Sequence, residues 1–466
     1  MTSLADRLRG VLGPAKAGPY DESSGRPEGR PLRSNEDDAA EVLGGEWRES
    51  RGQRFLVVDR TYVPGYRHGC VTLADCLPPD SGIWPRLHLL GCGAGLSLSA
   101  EASAKADGPP GRLLFLDLET TGLAGGAGSY AFLVGCGWFD EGVFRLRQFF
   151  LANFGAERAL LESVAELAAG CACVVTYNGK TFDLPLMETR FVLQRMTTPF
   201  ADLPHIDMLH PARRMWRGAA LHDEFTDATR VETGCSLTAL ERRLFDHHRQ
   251  GDVPGYEIAA RYFRYVRERD VCAMTGVLEH NRHDLLTLAL LTSRAAQLLC
   301  EGLVAVRTAR EALALGHYYE RAKDWTSAED CYRAASGIDG AVFPDVSETT
   351  ADGLRSYATL LRRQRRHNEA ASIWERLLHC LDTPERHRFE AARALAIHHE
   401  HRTKHLVAAR TAAESLIGLS ASRLNRCDAE IRLARLARKV GLTAERASRS
   451  VSAPLFATAV QRDGMH

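Results

Sequence analysis

The stretch Arg112 to Gly122, RLLFLDLETTG, constrains the fold of this chain more than any other. Leu113, Leu114, Phe115, Leu116 and Leu118, broken only by Asp117 and followed by Thr-Thr-Gly, predict a buried strand that ends in a turn. Side chains on a strand alternate faces, so Asp117 and Glu119 project from the same side at its carboxyl end. Two carboxylates there repel each other unless a cation sits between them. Hard cations such as Mg²⁺ and Mn²⁺ take oxygen ligands and are usually held by one or two carboxylates plus substrate phosphates. The plain alternative is a strand end with two solvated acids, and the rest of the chain weighs against it.

With 466 residues the chain has length for two or three domains. Hydrophobic residues at 45% and charged residues at 25% are ordinary globular values, which excludes a fibrous or wholly disordered chain. Lys+Arg 59 balance Asp+Glu 59, so affinity for nucleic acid has to come from local patches and not from a global field. The 12 cysteines are scattered without paired CxxC units, and Cys171 and Cys173 alternate on an apparent strand, which fits buried reduced thiols in a cytoplasmic chain. No apolar run reaches the length of a membrane span, and the opening MTSLADRLRGVLG does not read as a signal peptide; no membrane partner is expected.

Four regions are expected. Residues 1–45 form a flexible segment rich in Gly, Pro, Ser and charge, with a short helix at Leu4 to Leu12. Residues 46–110 hold a small β-rich lead-in (WRES, RFLVVDRTYV, HGCVTL) and a linker, Ser99 to Pro110. Residues 111–300 alternate strands with helices, the mark of an α/β sandwich. Strands are predicted at Tyr130 to Trp138, Val143 to Leu151 and Cys173 to Tyr177, and helices at Glu157 to Ala169, from about Asp183 to Gln194, and at Val277 to Leu299. The stretch from Ile206, HIDMLHPARRMW, reads as helical.

Residues 301–466 carry no strand signal. Tyr319 to Ala328, Leu361 to Ala370 and His399 to Ala408 repeat one spacing, so from about residue 305 a stack of helix pairs is expected, closed by a helix at Ala429 to Leu442. This region resembles tetratricopeptide repeats, which implies a groove for a protein partner.

Four acids stand in order: Asp117 and Glu119 at a strand end, Asp183 in a turn into a helix, and Asp284 on a helix face. His280 lies i, i+4 from Asp284 and shares its side of the helix, with His283 as a rival for the same role. Asp183 reads alternatively as a helix N-cap, and Asp207 as a cap or turn residue. Gly179-Lys180-Thr181 lacks the upstream glycine of a phosphate loop, which argues against a nucleoside triphosphatase. The pairs Arg213-Arg214 and Arg242-Arg243, the set Arg261, Arg264 and Arg267, and the run around Arg362 to Arg366 read as solvated helix faces, of which the first three could neutralise a nucleic-acid backbone.

Together these motifs resemble the DEDD superfamily of 3'-to-5' exonucleases on the ribonuclease H-like fold. Asp117-Leu118-Glu119 matches its Asp-x-Glu motif, Asn178 to Asp183 (NGKTFD) its second, and Asp284 its third. More narrowly, FLDLETTGLAGGAGSYAFLVG, YNGKTFDLPLM, CSLTALER and EHNRHDLLTLA resemble the YprB-type ribonuclease H-like domain. The third motif departs from the superfamily: His280 stands four residues before Asp284, the spacing of its Tyr class with the residue of its His class. The resemblance implies an α/β ribonuclease H-like domain with a mixed central sheet, followed by an all-α helical-repeat domain.

It also implies a metal-dependent 3'-to-5' exonuclease acting on single-stranded DNA or RNA. Two Mg²⁺ or Mn²⁺ ions would be held by Asp117, Glu119, Asp183 and Asp284, with His280 as the base that activates water. Thr120, Thr121, Asn178, Lys180 and Phe182 are the candidate substrate contacts beside these acids. The alternatives are a structure-selective endonuclease on the same fold, or a non-catalytic adaptor that binds nucleic acid or protein through its helical repeats.

Overall fold

The apolar run at the first acid motif forms the strand β5, Arg112–Thr120, in a computed structural model of the chain. The structure describes residues 35–76, 84–91, 112–122, 128–217, 234–338, 340, 343, 346–380, 383–419 and 423–451. The expected helix at 4–12, the linker at 99–110 and the glycine-rich run at 123–127 lie outside these residues.

Preceding β5 are the helix α1 (Asn35–Leu43) and the strands β1 (Glu46–Ser50), β2 (Gln53–Tyr62), β3 (Arg67–His68) and β4 (Val71–Thr72). The hairpin β6 (Ala131–Asp140) and β7 (Val143–Phe150) follows, turning through Glu141 and Gly142, both at positive φ. Next come α2 (Glu157–Ala168), β8 (Cys171–Thr176), α3 (Asp183–Leu193), β9 (His205–Asp207) and α4 (Leu209–Met215). The part around the sheet closes with α5 (Leu237–Phe245), α6 (Gly255–Glu268) and the long α7 (Cys272–Glu301).

One mixed sheet of seven strands runs in the order β1-β2-β7-β6-β5-β8-β9. β5 pairs antiparallel with β6 and parallel with β8, so the ends of β5 and β8 open on the same edge of the sheet. The lead-in strands do not merely pack on this sheet: β2 pairs antiparallel with β7, and β1 with β2. Residues expected to be flexible up to 45 include α1, which buries Ala39 and Leu43 in the core on which β5 and β6 also pack. His205–Asp207, read from sequence as helical, instead adds a three-residue edge strand beside β8. So short a strand leaves no periodicity to read.

Three helical hairpins follow: α8 (Ala309–Arg321) with α9 (Trp325–Ala335), α10 (Val346–Arg363) with α11 (His367–His379), and α12 (Glu385–His401) with α13 (Leu406–Gly418). A last helix, α14, spans Arg423–Val451. Each hairpin turns on one residue at positive φ, Lys323, Arg365 and Lys404, and a buried alanine stands five residues later in every case: Ala328, Ala370 and Ala409. This register makes Glu400, and not His399, the counterpart of Tyr319 and Leu361. Glu400 is buried and accepts from Arg432, Arg435 and Lys439, which tie α14 to α12.

The expected boundary at residue 300 does not divide the core. One apolar cluster runs from Phe115 and Val175 in the sheet through Leu285, Leu291 and Leu298 of α7 to Leu315, Tyr318, Leu361 and Trp374 of the hairpins. Buried Glu311 fastens the junction, accepting from Trp216 Nε1 at 2.9 Å and from Arg294 Nη2 at 3.0 Å. Among the described residues no single helix is long and apolar enough to cross a membrane.

Candidate metal and catalytic site

Three elements bring the four acids together. Asp117 and Glu119 sit on the last turns of the pleat of β5, where the register with β6 shifts between Glu119 and Thr120. Asp183 opens α3 as its first residue, with Phe182 in the cap position, so the cap alternative does not hold. The backbone N–H groups of Leu118 and of Asp183 itself favour its charged form, which sets the helix start against β5. Asp284 comes from α7, and His280 Nε2 lies 3.6 Å from its Oδ2, as the i, i+4 spacing requires.

Electrostatics shows the convergence. Burial, and then the charges of Asp284, Glu119 and Asp183, hold the Asp117 carboxyl well above its ordinary range. Burial and the charges of Asp284, Asp183 and Asp252 do the same to Glu119. Asp183 is pushed up to about 7 by burial and by the charges of Asp207 and Asp284, against the hydrogen bonds it accepts. Half-buried carboxylates crowded around buried Glu119 in this way form a ready site for a cation. The donors are all oxygens, which suits Mg²⁺ or Mn²⁺.

The turn between β8 and α3 is built around Asp207. Its Oδ1 accepts from the N–H groups of Asn178 at 2.7 Å and Leu209 at 3.1 Å, and its Oδ2 from that of Lys180 at 3.1 Å. Asp207 is therefore a turn residue. Asn178 has φ +67, which asparagine tolerates better than most residues, and a Cβ on Gly179 would meet the Thr176 side chain at 2.5 Å. The Asn-Gly pair is thus required by the backbone. Of the candidate substrate contacts, Lys180 and Phe182 are exposed, Phe182 at 50%, whereas the hydroxyl of Thr121 accepts from Tyr130 N and that of Thr120 donates to Gly122 O. Arg261 and Arg264 pair with Glu257 and Asp270, as solvated faces do.

The sequence reading missed the groups that hold these acids. Asn281 donates to Asp117 Oδ2 at 2.8 Å and to the Asp117 carbonyl at 3.2 Å. Gln148 of β7 donates in turn to Asn281 Oδ1 at 2.8 Å. Arg249, its side chain 1% exposed, donates to Asp284 Oδ1 at 2.6 Å, Glu241 Oε2 at 2.6 Å and Asp252 Oδ2 at 3.3 Å. Asn281 lay inside a motif already noticed. Arg249 and Asp252 had no local signal.

His283 belongs to a different cluster. Its Nε2 accepts from Arg282, its ring packs edge-on against His247, and burial with the charges of Arg282 and Arg249 drops it to about 3. Among the described residues, the group whose donor atoms all lie within 4.8 Å of one another, as around a metal ion, is His68, Glu241 and His247 and not the four acids. The arrangement suits an ion poorly. The rings of His68 and His247 are stacked, centroids 3.9 Å apart and planes 18° apart, so one ion cannot lie in both ring planes. Glu241 already accepts from His68 Nε2, Thr287 Oγ1 and Arg249, each at 2.6 Å. Despite its burial, those partners hold the Glu241 carboxyl at about 2.

Residues 114–296 match the RNase_H superfamily. That span holds all four acids, His280, Asn281, Arg249 and Asp252, so the matched residues include the whole candidate site. The chain is also 29% identical over 388 residues to uncharacterized protein YprB of Bacillus subtilis (strain 168), which covers 82% of this chain and 86% of that protein. The similarity therefore extends beyond residues 114–296 into the helical hairpins. Likeness to the RNase_H superfamily suggests a nuclease with a nucleic-acid substrate, and nucleases of that superfamily generally use divalent metal ions.

Proposed function

We propose that this chain is a metal-dependent 3'-to-5' exonuclease acting on single-stranded DNA or RNA. One observation carries the reading: four carboxylates from β5, α3 and α7 meet at the end of the central strand, where their charges and burial raise the proton affinity of Asp117, Glu119 and Asp183. Asp117, Glu119, Asp183 and Asp284 would hold two Mg²⁺ or Mn²⁺ ions. Bound there, the ions would supply an activated water and charge stabilisation for the leaving oxygen. The chain's own residues do the rest. Asn281 and Gln148 orient Asp117, Arg249 orients Asp284, and His280 stands beside Asp284 to take a proton from water.

Exposed Lys180 and Phe182 flank Asp183, where an ammonium can meet a phosphate and a ring can stack on a base. The helical hairpins, which we read as tetratricopeptide-like, would present substrate or a protein partner to the domain. The test is purified protein with Mn²⁺ on end-labelled linear and on circular single strands of DNA and RNA. Stepwise shortening of linear strands from the 3' end, with circles intact, is the expected result. Nicking of circles would replace the exonuclease with an endonuclease, and no cleavage of any substrate would overturn the nuclease reading.

A further inference from the structure

His280 meets a second carboxylate besides Asp284. Its Nδ1 lies 2.7 Å from Oδ1 of Asp252, while its Nε2 is 3.6 Å from Asp284 Oδ2. A carboxylate only accepts, so the short contact places the proton on Nδ1, and the longer one is beyond direct hydrogen bonding. In the neutral ring the lone pair then sits on Nε2, facing the acid cluster.

Asp252 is held firmly enough to impose this. Its Oδ1 also accepts from the backbone N–H of Val253 at 3.0 Å, and its Oδ2 from Arg249 at 3.3 Å. The next residue, Val253, is buried and packs on Gly276 of α7, where an added Cβ would come within 2.7 Å of it. Gly276 and His280 are i, i+4 on that helix, so the loop is seated one turn from the ring it orients. Arg249 completes the frame, bridging Asp252 to Asp284 and Glu241.

We infer that Asp252 is a positioning residue of this site, fixing His280 in the Nδ1–H tautomer so that Nε2 is the nitrogen that accepts the proton of the attacking water. A base oriented by a third group is a recurring arrangement in catalysis. The inference rests on the nuclease reading for its consequence, but the tautomer does not. ¹⁵N-histidine spectra of the full chain with Mg²⁺, with the His280 signals assigned by their loss in His280→Ala, report which nitrogen bears the proton. Recorded at alkaline pH, where an imidazole is neutral, the spectra should show the proton on Nδ1, and a proton on Nε2 overturns the assignment.

Asp252→Ala removes the acceptor of the Nδ1 proton, so the tautomer is no longer fixed. That variant should lower kcat by roughly 10²- to 10⁴-fold with KM unchanged. The double variant with His280→Ala should be no slower than His280→Ala alone. Two losses that multiply in the double variant would also overturn the inference. An Nδ1–H ring in protein that cleaves nothing would leave Asp252 assigned and remove the nuclease.

Discussion

The side-chain amide of Asn281 donates to the Asp117 carboxylate across 2.8 Å, linking the long helix α7 to the central strand at the first metal-ligand candidate. The approach depends on Gly135, the residue paired with Asp117 on β6, where a Cβ would stand 2.2 Å from Asn281 Oδ1. Asn281→Ala should therefore lower metal affinity or activity by about 10- to 100-fold, the usual range for groups that orient a ligand. Gly135→Ala should do the same by displacing Asn281. Titrating activity against Mn²⁺ concentration checks both, and unchanged curves would leave Asn281 a packing residue.

Removal of metal should make stability depend on pH in a particular direction. Asp117, Glu119 and Asp183 have raised values, Asp183 about 7, so in the folded state they keep protons that the unfolded chain releases from about pH 4 upward. Their contribution is complete below the unfolded value and is lost as pH rises toward 7 and beyond. In EDTA the melting temperature should fall over that interval, and Mg²⁺ should raise it more at pH 8 than at pH 5. Glu241 and Glu400, both held at about 2, act in the opposite sense but only at lower pH. Asp183→Asn should flatten the slope, which thermal melts across pH would show.

The helical hairpins and the sheet should melt as one unit, because their core is continuous and Glu311 pairs across the junction. Glu311→Ala leaves Arg294 buried without its carboxylate and should cost about 3–5 kcal/mol. Calorimetry should show a single transition moved to lower temperature. Two separate transitions would contradict a shared core. The same continuity predicts that a chain cut at residue 305 does not fold, since Ala312, Leu315 and Tyr318 belong to the cluster around α7.

Much of this architecture was legible locally. The apolar run before Asp117, the Asp-Glu-Gly turn and the leucine face of α7 are short-range signals, and the structure places β5, the β6–β7 hairpin and the helix where they point. The convergence of the four acids was legible only through resemblance, since nothing in their spacing dictates that three elements meet. What sets their geometry was not legible. Arg249 reaches Asp284 across 35 residues and Asp252 reaches His280 across 28, contacts made by packing of a loop against α7 that no local pattern encodes. The third hairpin was read one residue out of register, because its alignment follows the left-handed Lys404 and not the apolar residues nearby.

The central claim is that Asp117, Glu119, Asp183 and Asp284 form one metal-dependent hydrolytic site. The most direct test is the rate of nucleotide release from a 5'-labelled single strand in Mn²⁺, compared between the native protein and Asp183→Asn, a near-isosteric change that relieves carboxylate repulsion without removing the side chain. Release by the native protein is expected, with none in EDTA and none by folded Asp183→Asn. Equal rates from the two proteins would contradict it.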